Sequence, residues 1–160
     1  MLFRILSLIV LFFILTNYSY SAATSTGETE SNYDKAAKLI KTAKKYESKG
    51  KDKKAKKRYE RALKFLVKAN KEKPNQADTL NYLGFATRKL GDYEKGEKYY
   101  LLGLEIDPNH KGINEYLGEL YVVTNRIDLA KQRLDVLKNC NCEEYNELKE
   151  IIEGKKQSKY

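Results

Sequence analysis

Cys140 and Cys142, separated by Asn141, are the only cysteines of this 160-residue chain and its one cluster of reactive side chains. Two cysteines at this spacing can form a local disulfide, work as a redox dithiol, or offer two thiolates to a soft metal such as Cu(I). A metal site would need further ligands. Met1 is the only methionine, and His110, the only histidine, lies well upstream. The first reading is therefore a local bridge or turn cap at Cys140 and Cys142, with thiol redox or copper handling as the alternative. No nucleophile, base and orienting acid follow one another in a recognisable order. The sequence thus points away from an enzyme and indicates no cofactor. His110 reads as a polar residue at the start of a helix.

Four glycines, Gly84, Gly96, Gly103 and Gly118, interrupt stretches with helical patterning. Glycine inside a helix costs about 1 kcal/mol relative to alanine, so its presence needs a reason. Their spacing fits no phosphate-cradling loop. Close crossing of the two helices of a hairpin is the reason that remains. Tyr46, Tyr59, Tyr100 and Tyr121 stand at helix-packing offsets and read as core residues whose hydroxyls meet polar partners.

The elements that carry these residues are all helical. Hydrophobic spacing and stop signals predict helices over 33–49, 51–70, 75–90, 93–106, 111–124, 127–139 and 143–153. Pro74 and Pro108 end the helices before them, because the residue preceding a proline is pushed out of the helical region. A shift of 34 residues brings Tyr82-Leu83-Gly84 onto Tyr116-Leu117-Gly118. A backward shift of 34 fails, whereas one of 41 places Gly50 under Gly91, Ala55 under Gly96 and Tyr59 under Tyr100. The second helix of the first unit is therefore longer by about two turns. Its stripe of Ala55, Tyr59, Ala62, Leu66 and Ala69 keeps one buried seam throughout. Gly50, Gly91 and Asn125 mark the turns within the units, as residues that tolerate a left-handed helix terminus.

Leu80, Leu83-Gly84, Gly91-Asp92-Tyr93, Gly96, Tyr100 and Pro108 stand at the offsets of the tetratricopeptide (TPR) consensus. The chain resembles that family, whose members bind other proteins. The resemblance implies an all-α solenoid of antiparallel helix pairs, with repeats at about 36–74, 77–110 and 111–142, within a domain spanning 34–154. A capping helix over 143–154 would shield the last repeat's apolar face, and 155–160 would be a frayed basic tail. The block from His110 to Tyr121, with the later Cys142-Glu143-Glu144-Tyr145, is similar to a group of small exported bacterial TPR proteins.

In the TPR family the first helix of each repeat lines a concave groove. Carried over, the groove positions include Lys44 in the first repeat, Asp78, Asn81, Phe85, Arg88 and Lys89 in the second, and Glu115, Glu119 and Val122 in the third. The implied surface has a basic end at Lys44, Arg88 and Lys89 and an acidic end at Glu115 and Glu119. Phe85 lies between them, either as an exposed anchor for a peptide or half-buried against the neighbouring repeat. Phe85 and Glu119 take positions where a carboxylate clamp for chaperone tails needs other residues. The expected partner is an unspecified protein or peptide.

Charge is unevenly spread beneath a net +9. Residues 34–73 hold 17 Lys and Arg against 5 Asp and Glu, while 74–160 hold 13 against 15. A Lys-covered segment over 51–73 is foremost a solvated face, with weak contact to an anionic surface as a second use. Nucleic acid is not expected, because base readout favours Arg and 15 of those 17 residues are Lys. At the other end, Met1–Arg4 is a short positive start, Ile5–Leu15 is apolar and small residues follow. This order predicts a secretory signal peptide over 1–21, a disordered lead-in over 22–33, and a periplasmic or secreted destination. An uncleaved membrane anchor is the weaker reading, because Thr16–Ser21 interrupts the apolar run.

Overall fold

A computed structural model of the chain describes residues 30–158. The signal-peptide segment and most of the lead-in fall outside the described residues, as do 159 and 160. Among the described residues, helices are the only regular elements. These are α1 (Asn32–Glu47), α2 (Asp52–Glu72), α3 (Ala77–Lys89), α4 (Tyr93–Ile106), α5 (Lys111–Val123), α6 (Ile127–Leu137) and α7 (Glu143–Ile152). They pair as antiparallel hairpins α1/α2, α3/α4 and α5/α6, and α7 packs on α5 and α6 as a cap.

The turn inside each hairpin uses one device. Gly50, Gly91 and Asn125 have φ of 63°, 95° and 58°. The next residue's N–H reaches back to Tyr46, Thr87 and Tyr121 respectively, closing the carbonyl ends of α1, α3 and α5. Asparagine does in the third hairpin what glycine does in the first two.

The lead-in ends earlier than the sequence suggests. Ser31 caps α1 by accepting a hydrogen bond from the Asp34 N–H at 3.0 Å. Asn32 donates to Glu72 at 2.6 Å, and the Tyr33 ring stacks on Tyr82 with centroids 5.6 Å apart. Ser31-Asn32 is thus a capping pair held by the far end of α2. A polar pair before a helix looks like disorder when its long-range partner, Glu72, is not visible in the sequence.

Helix α2 runs 21 residues, against 14 for α4 and 11 for α6. Ala55, Tyr59, Ala62, Leu66 and Ala69 are all buried, and its lysines stand in water. Ala55, Tyr59, Ala62 and Leu66 join Ile40, Leu80, Leu83 and Phe85 in one core, while Tyr100, Ile113, Leu117, Leu120 and Ala130 form a second beneath the third repeat. Between repeats, Arg126 grips Glu97 through two hydrogen bonds of 2.8 and 2.7 Å and lies 4.5 Å from the centroid of Tyr121. A forked guanidinium–carboxylate pair fixes orientation as well as distance.

The glycines split into two uses. Gly84 and Gly96 meet at the α3/α4 crossing, where a Cβ on Gly84 would stand 2.5 Å from the Tyr100 ring. Gly103 and Gly118 do not serve a crossing within their own hairpins. A Cβ on Gly103 would lie 2.4 Å from Ile113 of the next repeat, and one on Gly118 would lie 2.5 Å from Leu148 of α7. They are the seats on which successive units stack. Among the tyrosines, Tyr59 donates to Glu47 at 2.8 Å, whereas the buried Tyr100 hydroxyl has no partner among the described residues.

Candidate concave groove

Helices α1, α3, α5 and α7 turn one face each toward a groove of about 900 Å³. Its floor is aromatic. The Phe85 and Tyr116 rings lie 4.9 Å apart, and the Lys44 ammonium sits 4.5 Å from the first centroid and 5.1 Å from the second. Lys44 also donates to the Tyr116 hydroxyl at 2.9 Å. The cation therefore covers the rings, and Phe85 is only 2% exposed. Phe85 is neither an exposed anchor nor half-buried. Tyr59 approaches its other side edge-on with centroids 5.8 Å apart, and the ring belongs to the core.

Arg88 and Lys89, expected as part of a basic wall, are engaged within the fold. Arg88 is 1% exposed, donates to the Tyr116 carbonyl and lies 3.4 Å from Glu119. Lys89 lies 2.7 Å from Glu47 with its side chain almost fully covered. Both line the groove from beneath its surface. The groove positions of a repeat specify a face, but they do not say which opposite charge from a neighbouring helix will neutralise it.

The acidic side is larger than the sequence implies. Glu115 and Glu119 from α5 are joined on the groove wall by Glu143, Glu144 and Glu147 from α7. Burial pushes the Glu115 carboxyl up to about 8, the Glu119 charge adds to the shift, Lys44 opposes it, and Glu144 and Glu147 raise it further. A carboxyl held in this way takes up a proton unless a cation comes close.

Asp78 and Asn81 line a shallower hollow of about 570 Å³, which shares Glu115, Tyr116 and Glu144 with the groove. There His110 caps α5, accepting from the Ile113 N–H at Nδ1, and its Nε2 lies 3.1 Å from Asp78. With Nδ1 accepting, Nε2 carries the proton and donates to Asp78. Asn81 is buried, and its Oδ1 has no hydrogen-bond partner among the described residues. Val122 lines neither hollow. It packs against the core cluster that holds Tyr100, Ile113, Leu117, Leu120, Tyr121 and Ala130.

Cys140 and Cys142 are bridged, with Cα atoms 5.2 Å apart, in the link between α6 and α7. That separation falls within the span usual for disulfides, small though the ring is. Asn141, at φ 46°, supplies the left-handed residue that lets the ring close. Among the described residues no group of His, Cys, Asp and Glu is arranged to hold a metal ion.

Two groove participants and one buried polar residue escaped the sequence reading. Tyr116 looked like a repeat signature and is also half of the groove floor. The Glu residues of α7 looked like the polar face of a cap and form a groove wall. Asn114, at a site where the second repeat has Leu80, is fully buried. Its amide donates to the carbonyls of Pro108 and His110, and its Oδ1 accepts from Arg133 at 3.3 Å. A polar residue at an otherwise large apolar position was the signal for it.

No protein-family model matches the chain, and no curated protein matches it. Solved structures do. The first TPR of Spaghetti (RPAP3) bound to the HSP90 peptide SRMEEVD is 20% identical, with TM-score 0.53, over 79% of this chain and 97% of that one. The Sgt2 TPR domain from Aspergillus fumigatus is 17% identical, with TM-score 0.56, over 79% and 82%. The second TPR domain of human RPAP3, in complex with the HSP70 peptide SGPTIEEVD, is 18% identical, with TM-score 0.52, over 76% and 98%.

Proposed function

The chain has the tetratricopeptide-repeat fold, and from that premise we propose that it is a non-catalytic scaffold or assembly factor of the bacterial periplasm. It holds a partner protein or peptide in its concave groove. The observation that carries this reading is the groove itself, about 900 Å³, walled by four helices and floored by two rings. Volume of this kind with convergent charge suits an extended or helical segment. Structural neighbours of the same fold hold peptides, which supports the reading by analogy of architecture.

The groove differs in chemistry from what an acidic peptide needs. Arg88 and Lys89 are each paired with a glutamate, and five glutamates line the groove from α5 and α7. Peptides ending in EEVD would meet like charge.

Export is supported by the order of charge, apolar run and small residues in Met1–Ala23. Two experiments test the proposal. A photocrosslinking side chain at Glu144, on the groove wall, should capture a defined envelope protein, and one at Lys64 on the outer face of α2 should not. Equal labelling from both positions would remove the groove as the binding site. Mass spectrometry of the protein recovered from cells should find its N-terminus at or near Ala22. Recovery of chains that all retain Met1 would exclude signal cleavage.

A further inference from the structure

Residues 153–158, which follow α7, do not fray. Gly154, at φ 70°, reverses the chain, and the N–H groups of Lys155 and Lys156 both return to the Glu150 carbonyl. The Lys156 ammonium is thereby set against Glu147 in an ion pair whose side chains are 28% and 25% exposed. Ser158 reaches Glu119 at 3.5 Å, and Lys156 and Gln157 form part of the groove lining. The basic segment lies along the acidic wall.

From this seating we propose that Lys156–Ser158 is an internal occupant of the groove, and that the partner is a lysine-bearing segment whose ammonium takes the place of Lys156 on Glu147. The inference rests on the groove being the binding surface and adds to it the chemistry of the ligand. Charge complementarity carries it. The α7 wall presents carboxylates that the core does not neutralise, and the one segment seated on them is cationic. The raised Glu115 carboxyl points the same way, since a second ammonium beside it would offset the crowding of its neighbours. Occupancy in cis lowers the apparent affinity for any ligand by the fraction of molecules in which the groove is closed. The segment thus sets a threshold, admitting only partners that compete with a tethered ligand.

The test uses the whole chain, isotopically labelled, and a synthetic peptide of residues 154–160, Gly-Lys-Lys-Gln-Ser-Lys-Tyr. In the wild type the amides of Lys156–Ser158 should resonate away from coil positions. Lys156→Glu should move them to coil positions and tighten binding of the added peptide about fivefold or more, read at the amides of Glu115, Glu119 and Glu147. Adding Glu147→Lys to Lys156→Glu should restore the closed spectrum. Coil-like tail amides in the wild type, or equal peptide affinity in the two chains, would overturn the proposal. A control peptide with glutamate for lysine separates the two levels of the argument. If it binds and the lysine peptide does not, the inference falls while the groove stands as a peptide site. If neither binds the Lys156→Glu chain, the inference falls and the crosslinking experiment decides the groove.

Discussion

The Arg88 guanidinium and the Glu119 carboxylate lie 3.4 Å apart, with side chains 0% and 7% exposed, and so join the second repeat to the third by a buried ion pair. Burying two charges is costly, and removing one partner leaves the other without compensation. Arg88→Leu should therefore destabilise the fold by about 3 kcal/mol in urea denaturation, and the double Arg88→Leu/Glu119→Leu variant should recover most of the loss. Additive losses in the double variant would show that the two groups are not coupled.

Phe85 was a candidate binding residue and is a core residue. Phe85→Ala should cost about 3 to 5 kcal/mol through the cavity it leaves against Tyr59 and Tyr116. A variant that kept wild-type stability while losing a ligand would restore Phe85 to the surface of the argument.

Glu115 gives the fold a pH dependence of unusual sign. Its native carboxyl titrates at about 8 and its unfolded carboxyl near the ordinary glutamate value, so the native state binds the extra proton in between. Stability should then fall as pH rises from about 4.5 to about 8. Glu115→Gln should remove that slope and raise stability at pH 8 by roughly 1 to 2 kcal/mol, the full shift being discounted because the site is partly open to solvent. Thermal denaturation at pH 5 and pH 8 measures it. An unchanged slope in the variant would assign the pH response to another group.

The Cys140–Cys142 bridge closes so short a loop that it removes little freedom from the unfolded chain. Replacing both with serine should cost no more than about 1.5 kcal/mol and leave groove binding intact. Thiol titration of the native protein should find no free thiol. Loss of binding in the double variant would instead favour the thiol-based reading.

Gly118→Ala places a methyl group into the Leu148 side chain, so Leu148 must give way and loosen the seat of α7. An overpacking cost of about 1 to 3 kcal/mol is expected, together with release of Lys156 and Ser158 from the groove. Both should be visible by amide exchange across 143–158. Protection unchanged in that segment would mean that the cap does not depend on the Gly118 seat.

The architecture was legible in the sequence because its determinants are local. The seam of α2 recurs every three or four residues, and Gly50, Gly91 and Asn125 mark turns by what their own backbones tolerate. The groove was legible only as a set of positions. Whether Phe85 is open depends on Lys44 and Tyr116, which are 72 residues apart in the chain yet hydrogen-bonded. Whether Arg88 is available depends on Glu119, 31 residues on. The folded segment after α7 was missed for a similar reason. A run of lysines looks solvated until the glutamates of α7 are set beside it.

The lysines of the first repeat also bear on what can stack against it. Lys38, Lys41 and Lys45 stand exposed along α1, on the side away from its buried residues Ala36, Ile40 and Ala43. Another helix pair stacking there would have to strip water from Lys41 and Lys45 and bury Lys38 with its partner Glu30, 2.9 Å away, a cost that apolar contact alone does not recover. Among the described residues, the last hairpin is thus covered by a helix, while α1 meets solvent with charge. A second copy approaching this side of α1 would find ammonium groups in place of an apolar surface to stack upon.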